Sequence, residues 1–269
     1  MSADTKSLRL RIKSVDSTLH LTKAMGLVAS SKIRRATDAM LKSRQFSAAY
    51  EDAVSLLSVS AECKKSPFLR RSDGNRTRLI VIAGDRGLAG GYNANIFRLM
   101  REYPDAEIIP IGKRASDRYG GKFVSSETYS YKEAIELSQK LCDDFENGEY
   151  DRLGIVCTKY VSMMTQDAHI KWVLPILPDG KKKNVSVIFE PNEITVLNSV
   201  IPEYVAGLLI SAVRESFACE VSARRMAMDS AGKNAQQMID DLQLKYNRAR
   251  QGAITQEITE IVSGAEALK

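Results

Sequence analysis

Histidine is nearly missing: only His20 and His169 occur in 269 residues, and they lie far apart in the chain. A His/Ser/Asp arrangement or a histidine-rich metal site therefore has almost nothing to draw on, and a lone histidine is ordinarily structural. Cysteine is equally sparse. Cys63, Cys142, Cys157 and Cys219 form no CxxC pair and no Cys/His cluster, which argues against a disulfide framework or zinc site and for a reducing compartment. Apolar runs are short. VAGLLISAV, Val205 to Val213, falls well below the roughly 20 residues that cross a bilayer, so no membrane-inserted segment is expected. The opening stretch MSADTKSLRLRIKS lacks the apolar core and cleavage site of a secretory leader, and the chain is expected to begin at its mature start. Adjacent acidic pairs, Asp143 with Asp144 and Asp240 with Asp241, would point to different sides of a helix and suit solvation better than acid/base work. No catalytic residue, cofactor site or metal site is expected.

What proline there is shows the organisation. All seven prolines fall between Pro67 and Pro202, leaving two long flanks without the strongest helix breaker. In the first flank Leu8, Ile12, Val15, Leu19 and Thr22 recur at spacings of four and three, the stripe of an amphipathic helix or coiled-coil seam, which predicts a helix over residues 1–61. In the last flank Leu208, Ala212, Ser216, Cys219, Ala223, Met226 and Ser230 repeat the spacing, and Leu242, Tyr246, Ala249, Ala253 and Gln256 resume it. That seam is made of small residues. A helix over 203–269 would be roughly 100 Å long at about 1.5 Å per residue, more than a globular domain requires.

Between the flanks, over about residues 76–191, the period changes. TRLIVIAG, AEIIPIG, RLGIVCT and IKWVLPIL are short apolar runs rich in branched residues, and the helical pattern YKEAIELSQKLCDDF alternates with them. This predicts an α/β, Rossmann-like domain with a mainly parallel sheet, so that the loop after Gly84 lies at the carboxyl end of a strand, where ligands ordinarily bind. DGKKKN, Asp179 to Asn184, reads as a charged turn joining two strands.

That loop, VIAGDRGLAGGYN, has the look of a phosphate cradle. Its glycines, Gly84, Gly87, Gly90 and Gly91, match neither G-x-G-x-x-G nor G-x-x-x-x-G-K-[ST]. Two readings remain, a tight strand-to-helix connection that packs against something and a phosphate site, and the missing Lys-Ser/Thr pair favours the first.

Charge is concentrated. Residues 1–44 carry ten Lys/Arg against Asp4, Asp16 and Asp38, a local net of about +7 beside +6 for the whole chain. Such a helix can meet nucleic acid, an anionic membrane surface or an acidic protein, or it can simply be solvated. Phe46 and Tyr50 are the only aromatics among the first 60 residues, too few for a base-stacking surface, which favours an acidic protein partner over a coiled-coil nucleic-acid adaptor. Two long apolar stripes are buried most simply by pairing the flanks antiparallel. The second helix would then overhang, and Ile254, Ile258 and Ile261 would need an external sleeve.

The segments SVDSTLHLTKAMGLVASSKIRRA and MDSAGKNAQQMIDDLQLKYNRARQGAITQEITEIVSGAEAL, with DRGLAGGYNANI between them, resemble the gamma subunit of F-type ATP synthases. The likeness spans nearly the whole chain. It implies a non-catalytic central-stalk rotor, one copy per complex, that turns within the ring of alpha and beta subunits. Its globular part would meet epsilon and the membrane c-ring, coupling proton flow to ATP synthesis or hydrolysis. A peripheral place on the cytoplasmic side of a bacterial cell membrane follows, the matrix side of the mitochondrial inner membrane being the alternative. Ala89 stands where many members have cysteine, Cys219 where serine is common, and Gly26 where a larger residue is usual; the insertion with a regulatory cysteine pair of the chloroplast form is missing. By motif, the resemblance assigns Met25, in TKAM, to the acidic lever loop of beta, with Lys23, Lys32, Arg34 and Arg35 as nearby basic faces. It matches Arg224, in ARRMAM, to the family's arginine with Glu220 one turn earlier, as partner-binding residues, assigns Arg250, Gln251 and Thr255 to a catch loop of beta, and Phe189 and Glu190, in SVIFEP, to the c-ring loops. Coiled-coil packing for Met25 and solvated helix faces for the others are the plainer readings.

Overall fold

The computed structural model describes residues 3–70, 74–177 and 189–266; the DGKKKN turn, Ser186 to Ile188 and the last three residues lie outside them. The element order is α1 (Ala3–Ser58), β1 (Thr77–Ile82), α2 (Tyr92–Leu99), β2 (Glu107–Ile111), α3 (Lys113–Tyr119), α4 (Tyr131–Glu146), β3 (Arg152–Tyr160), β4 (Gln166–Leu174) and α5 (Glu193–Glu266). By contacts the chain forms two compact units: residues 1–29 with 225–269, and residues 30–224.

The second unit holds the sheet, in the order β2-β1-β3-β4. β1 pairs in parallel with both β2 and β3, while β4 turns back antiparallel on β3. The expected mainly parallel α/β arrangement is present, with the last strand of the run reversed. Alternation along β1 decides the two cores. Ile80 and Ile82 face a layer built by α4, α5 and the end of α1, with Leu141, Phe145, Leu197, Val205, Leu209 and Leu57. Leu79 and Val81 face α2 through Tyr92, Ile96 and Met100. Helix α4 starts where it does because Ser130 and Glu133 form a reciprocal capping box. Gly112, which opens α3, tolerates no side chain: its φ is 92° and a Cβ would lie 1.9 Å from the Ala83 carbonyl oxygen.

Helix α5 begins at Glu193, ten residues before the expected start, and carries Pro202 inside it. Proline removes one helical hydrogen bond, but Leu197, Ile201 and Val205 on either side are fully buried and hold the helix through it. One 18-residue stretch of α5 is apolar enough by composition to cross a membrane, and 61% of it is buried inside the protein. Within this unit α1 and α5 run antiparallel. Arg214 donates to Ser43 Oγ at 2.6 Å, Arg44 pairs with Glu215 at 2.6 Å, and Ala36 and Met40 pack on Ala218. Glu215 and Ser216 also accept the backbone N–H groups of Tyr160 and Thr158, tying the end of β3 to α5.

The first unit is an antiparallel helix pair. Leu19 packs on Ala235 and Ile239, flanked by Ile12 and Val15, and Gly26 lies against Arg225 and Met228. The expected stripe of α1 is therefore the one that packs. On α5 the expected stripe holds at Leu242, Tyr246 and Ala249 but not at Ser230, which is exposed; Met228 and Ala235 turn inward instead. A seam of small residues permits this slip, because none of them is a knob large enough to fix the helix rotation.

Candidate functional site: the glycine-rich turn and the exposed helix faces

The glycine-rich turn leaves β1 at the carboxyl edge of the sheet and is filled by the protein's own groups. Asp85 is its anchor. Its carboxylate accepts from Ser125 Oγ at 2.6 Å and from the backbone N–H groups of Lys113, Ser126 and Glu127 at 3.1 to 3.2 Å. Burial works against the charged form, yet these donors outweigh it and hold the Asp85 carboxyl below the usual range. Gly84 is pinned through its N–H to Asn93 Oδ1 at 2.9 Å, and a Cβ there would lie 2.7 Å from the Glu220 carboxylate carbon. Arg224 donates to the Gly87 and Arg86 carbonyl oxygens at 3.2 Å and pairs with Glu220. The Gly84 N–H and the carbonyls of Gly84, Arg86 and Gly87 are engaged within the chain. The tight, packed connection of the first sequence reading is present.

Glu220 and Arg224 are thus inside the chain, with side chains 3% and 11% exposed. Burial pushes the Glu220 carboxyl up, opposed by Arg224. Beside the exposed Arg86, Gly90 and Gly91 the turn shows solvent Leu88, a non-glycine residue at φ 60° that is 62% exposed. Nothing in the glycine spacing announced Asp85 or Leu88, although an Asp directly after the strand is the residue type that collects backbone donors.

The other expected site residues fall on separate surfaces. On the first unit Lys23 is exposed and Met25 half-buried on α1, while Arg250, Gln251 and Thr255 are all exposed on α5. The Thr255 hydroxyl bonds its own helix, donating to the Gln251 carbonyl at 3.0 Å. From Gly252 to Glu266 the helix is exposed apart from the half-buried Ala253, and Ile254, Ile258, Ile261 and Val262 are 46%, 56%, 71% and 52% exposed. On the second unit Lys32 is taken by an ion pair with Glu127. Arg34 and Arg35 line an open groove of about 580 Å³ with Asp38, Lys42 and Arg214. Phe189 packs against the larger core and Glu190 is exposed.

No chemistry assembles elsewhere among the described residues. His20 lies near Asp16 on exposed α1, and His169 sits within β4 with its Nε2 3.8 Å from Cys157 Sγ. Burial pushes the Cys157 and Cys142 thiols up to about 12, far from thiolate reactivity at neutral pH. All four cysteines are free and buried. No group of His, Cys, Asp or Glu among the described residues could hold a metal ion.

Comparison with known proteins agrees with the fold. The family model described as ATP synthase matches residues 4–268. The ATP synthase gamma chain of Ruminococcus albus is 40% identical over 281 residues, covering 98% of each chain. The sodium ion specific ATP synthase gamma chain of Acetobacterium woodii is 35% identical over 301 residues, covering all of both. Among solved structures, a chain of the Euglena gracilis mitochondrial ATP synthase (OSCP/F1/c-ring, rotational state 3) aligns with a TM-score of 0.69 at 17% identity, over 98% of this chain and 94% of that one. The rotor of the same complex in rotational state 1 gives 0.63. A full-length family match, close bacterial relatives and a shared fold leave one conclusion: this chain belongs to the gamma chains of ATP synthase, a non-catalytic subunit family.

Proposed function

We propose that the chain is the central-stalk rotor of a bacterial F-type ATP synthase. One copy turns within the ring of alpha and beta subunits, which carry the active sites, while epsilon and the membrane c-ring bind the sheet-bearing unit. Transmembrane ion flow is thereby coupled to ATP synthesis or hydrolysis, at the cytoplasmic side of the cell membrane without insertion into it. The observation that carries this reading is the end of α5, a regular helix whose Ile254, Ile258 and Ile261 stay exposed among the described residues. An exposed apolar face of that kind marks a surface that takes up a partner.

The mechanism follows from unequal contact. A ligand or partner biases a two-state neighbour only by differential affinity, so a rotor shifts each beta subunit between open and closed states by presenting a different face to it. Met25 supplies one such face, Lys23, two residues away and so about 200° round α1, a second, and Arg34 and Arg35, in their open groove, another. Arg250, Gln251 and Thr255 form a polar patch, since steps of one and four residues turn by about 100° and 40°. Phe189 and Glu190 are assigned to the c-ring side; with Phe189 packed inward, Glu190 is the group of the two that is free to touch it.

Co-expression of the tagged chain with its own alpha and beta subunits tests the proposal. It predicts a complex with a single copy of the chain and ATP turnover that the chain alone lacks. Tight ATP binding by the purified chain, abolished by changing Gly87 and Gly90, would overturn it.

A further inference from the structure

The turn after β1 combines two features that ordinarily exclude each other, an exposed branched apolar side chain and left-handed backbone. Leu88 and Gly90 have φ of 60° and 56°. Glycine bears this at no cost, whereas leucine does so only where its surroundings impose it. Leu88 is 62% exposed, so burial of its own side chain does not impose it, while the next residue, Ala89, is 2% exposed and anchors the turn.

What imposes it comes from α5. Arg224 donates to the carbonyl oxygens of Arg86 and Gly87. The two carbonyls just before Leu88 are therefore held by one side chain, and Glu220, one helical turn earlier, holds that side chain in turn. Those side chains are joined to each other in an ion pair and are nearly excluded from solvent, at 3% and 11% exposure. The absence of a side chain at Gly84 makes room for the Glu220 carboxylate. Asp85 fixes the start of the turn through Ser125, Ser126, Glu127 and Lys113.

We propose that Glu220 and Arg224 are positioning residues: they latch the turn over residues 84–91 so that Leu88 stands outward before any partner arrives, and they do not touch the partner themselves. This deepens the reading of the chain as a subunit of an assembly and replaces, for these two residues, direct contact with a partner. A turn already fixed loses no conformational freedom on docking, and a loosened one would.

The test has two arms. In the purified full chain, hydrogen exchange at the amides of Gly84, Tyr92 and Asn95, which bond Asn93 Oδ1 and the turn carbonyls of Ala89 and Gly91, is measured for wild type, Arg224→Ala, Arg224→Lys and Glu220→Gln. Arg224→Ala is expected to speed exchange there by about tenfold or more, the scale of one charge-assisted hydrogen bond lost, without speeding it in the rest of α5. Arg224→Lys should restore little, because an ammonium cannot span two carbonyls and a carboxylate in the planar fork of a guanidinium. Glu220→Gln keeps the shape and should give an intermediate rise, and it serves if Arg224→Ala fails to fold. Unchanged exchange at the turn in these variants would overturn the latch.

The second arm is a double-mutant cycle in the complex with alpha and beta, reading ATP turnover. If Arg224 acts through the turn, Arg224→Ala has little further effect in a Leu88→Ala background; additive losses would overturn the positioning role and return Arg224 to the partner interface. The first arm uses the free chain and stands or falls independently of assembly, whereas a failure of the assembly reading shows in the wild-type complex.

Discussion

Replacing Ile254, Ile258, Ile261 and Val262 together by glutamine separates what the end of α5 does for the chain from what it does for an assembly. In the free chain these side chains are 46%, 56%, 71% and 52% exposed, and a Cβ added at Gly252 or Gly264 would meet nothing within 4 Å. Removing them there deletes almost no packing, and glutamine is the better helix former. The melting temperature of the purified variant should therefore stay within a few degrees of wild type, or rise slightly. In an assembly the remaining exposed fraction would be covered. Full burial of such a side chain contributes about 1.5–3 kcal/mol, so covering what is still exposed on all four contributes roughly 3–7 kcal/mol. Even the lower end is about a hundredfold in affinity. The assay is binding of immobilised chain to the alpha and beta subunits, alongside thermal unfolding of the chain alone. A free chain destabilised by more than about 1 kcal/mol, or an unchanged affinity, would refute the reasoning, because either result contradicts an uncovered face waiting for a sleeve.

The polar patch predicts a different split: Gln251→Leu or Thr255→Val should lower multisite ATP turnover of the assembled complex while leaving single-site nucleotide affinity unchanged. The Thr255 hydroxyl bonds only its own helix in the free chain, so helicity of the purified chain should not move; equal effects on both rates would reject an angle-dependent contact. Met25→Lys adds a charge to a half-buried position of α1 and should reduce proton pumping per ATP hydrolysed, a ratio measured in reconstituted vesicles. Asp85→Asn should cost about 2–3 kcal/mol at neutral pH, since charge-assisted bonds to four donors are weakened. The folded carboxyl lies below its ordinary value, so this contribution is complete above the unfolded pKa of about 4 and is lost as pH falls through the folded one. Wild type and variant should converge in denaturation experiments below that range. Arg78→Met, which strips the guanidinium from Glu107, Asp144, Glu149 and the face of Tyr150, should destabilise by about 1–3 kcal/mol, chiefly because the half-buried Asp144 is left without its partner.

Much of this architecture is legible in the sequence because its signals are periodic. The stripe through Leu8, Ile12, Val15 and Leu19 needs no tertiary information, and the runs that become β1 to β3 are apolar on both faces because both faces are covered. Position 202 was misleading for a tertiary reason, since a proline that would end an isolated helix is carried by the burial of Leu197, Ile201 and Val205. The rotation of α5 near Ser230 was hidden because small residues do not announce which side faces in. At the turn, the glycine count conveyed tightness but not purpose. Its character rests on Asp85, Glu220 and Arg224, which meet across 135 positions of sequence between Asp85 and Glu220, and no local pattern connects them. The same limit applies to Glu220 and Arg224 themselves, whose motif points to a partner while their burial points inward.

Rotation itself is the most direct test. All four native cysteines are buried, so a cysteine introduced at the exposed Lys140 of α4 offers a single reactive thiol for a probe. With the alpha and beta ring fixed to a surface and the probe on the chain, added ATP should drive stepwise turning in one direction, at a rate that follows ATP hydrolysis. Continued hydrolysis with the probe stationary would contradict the account.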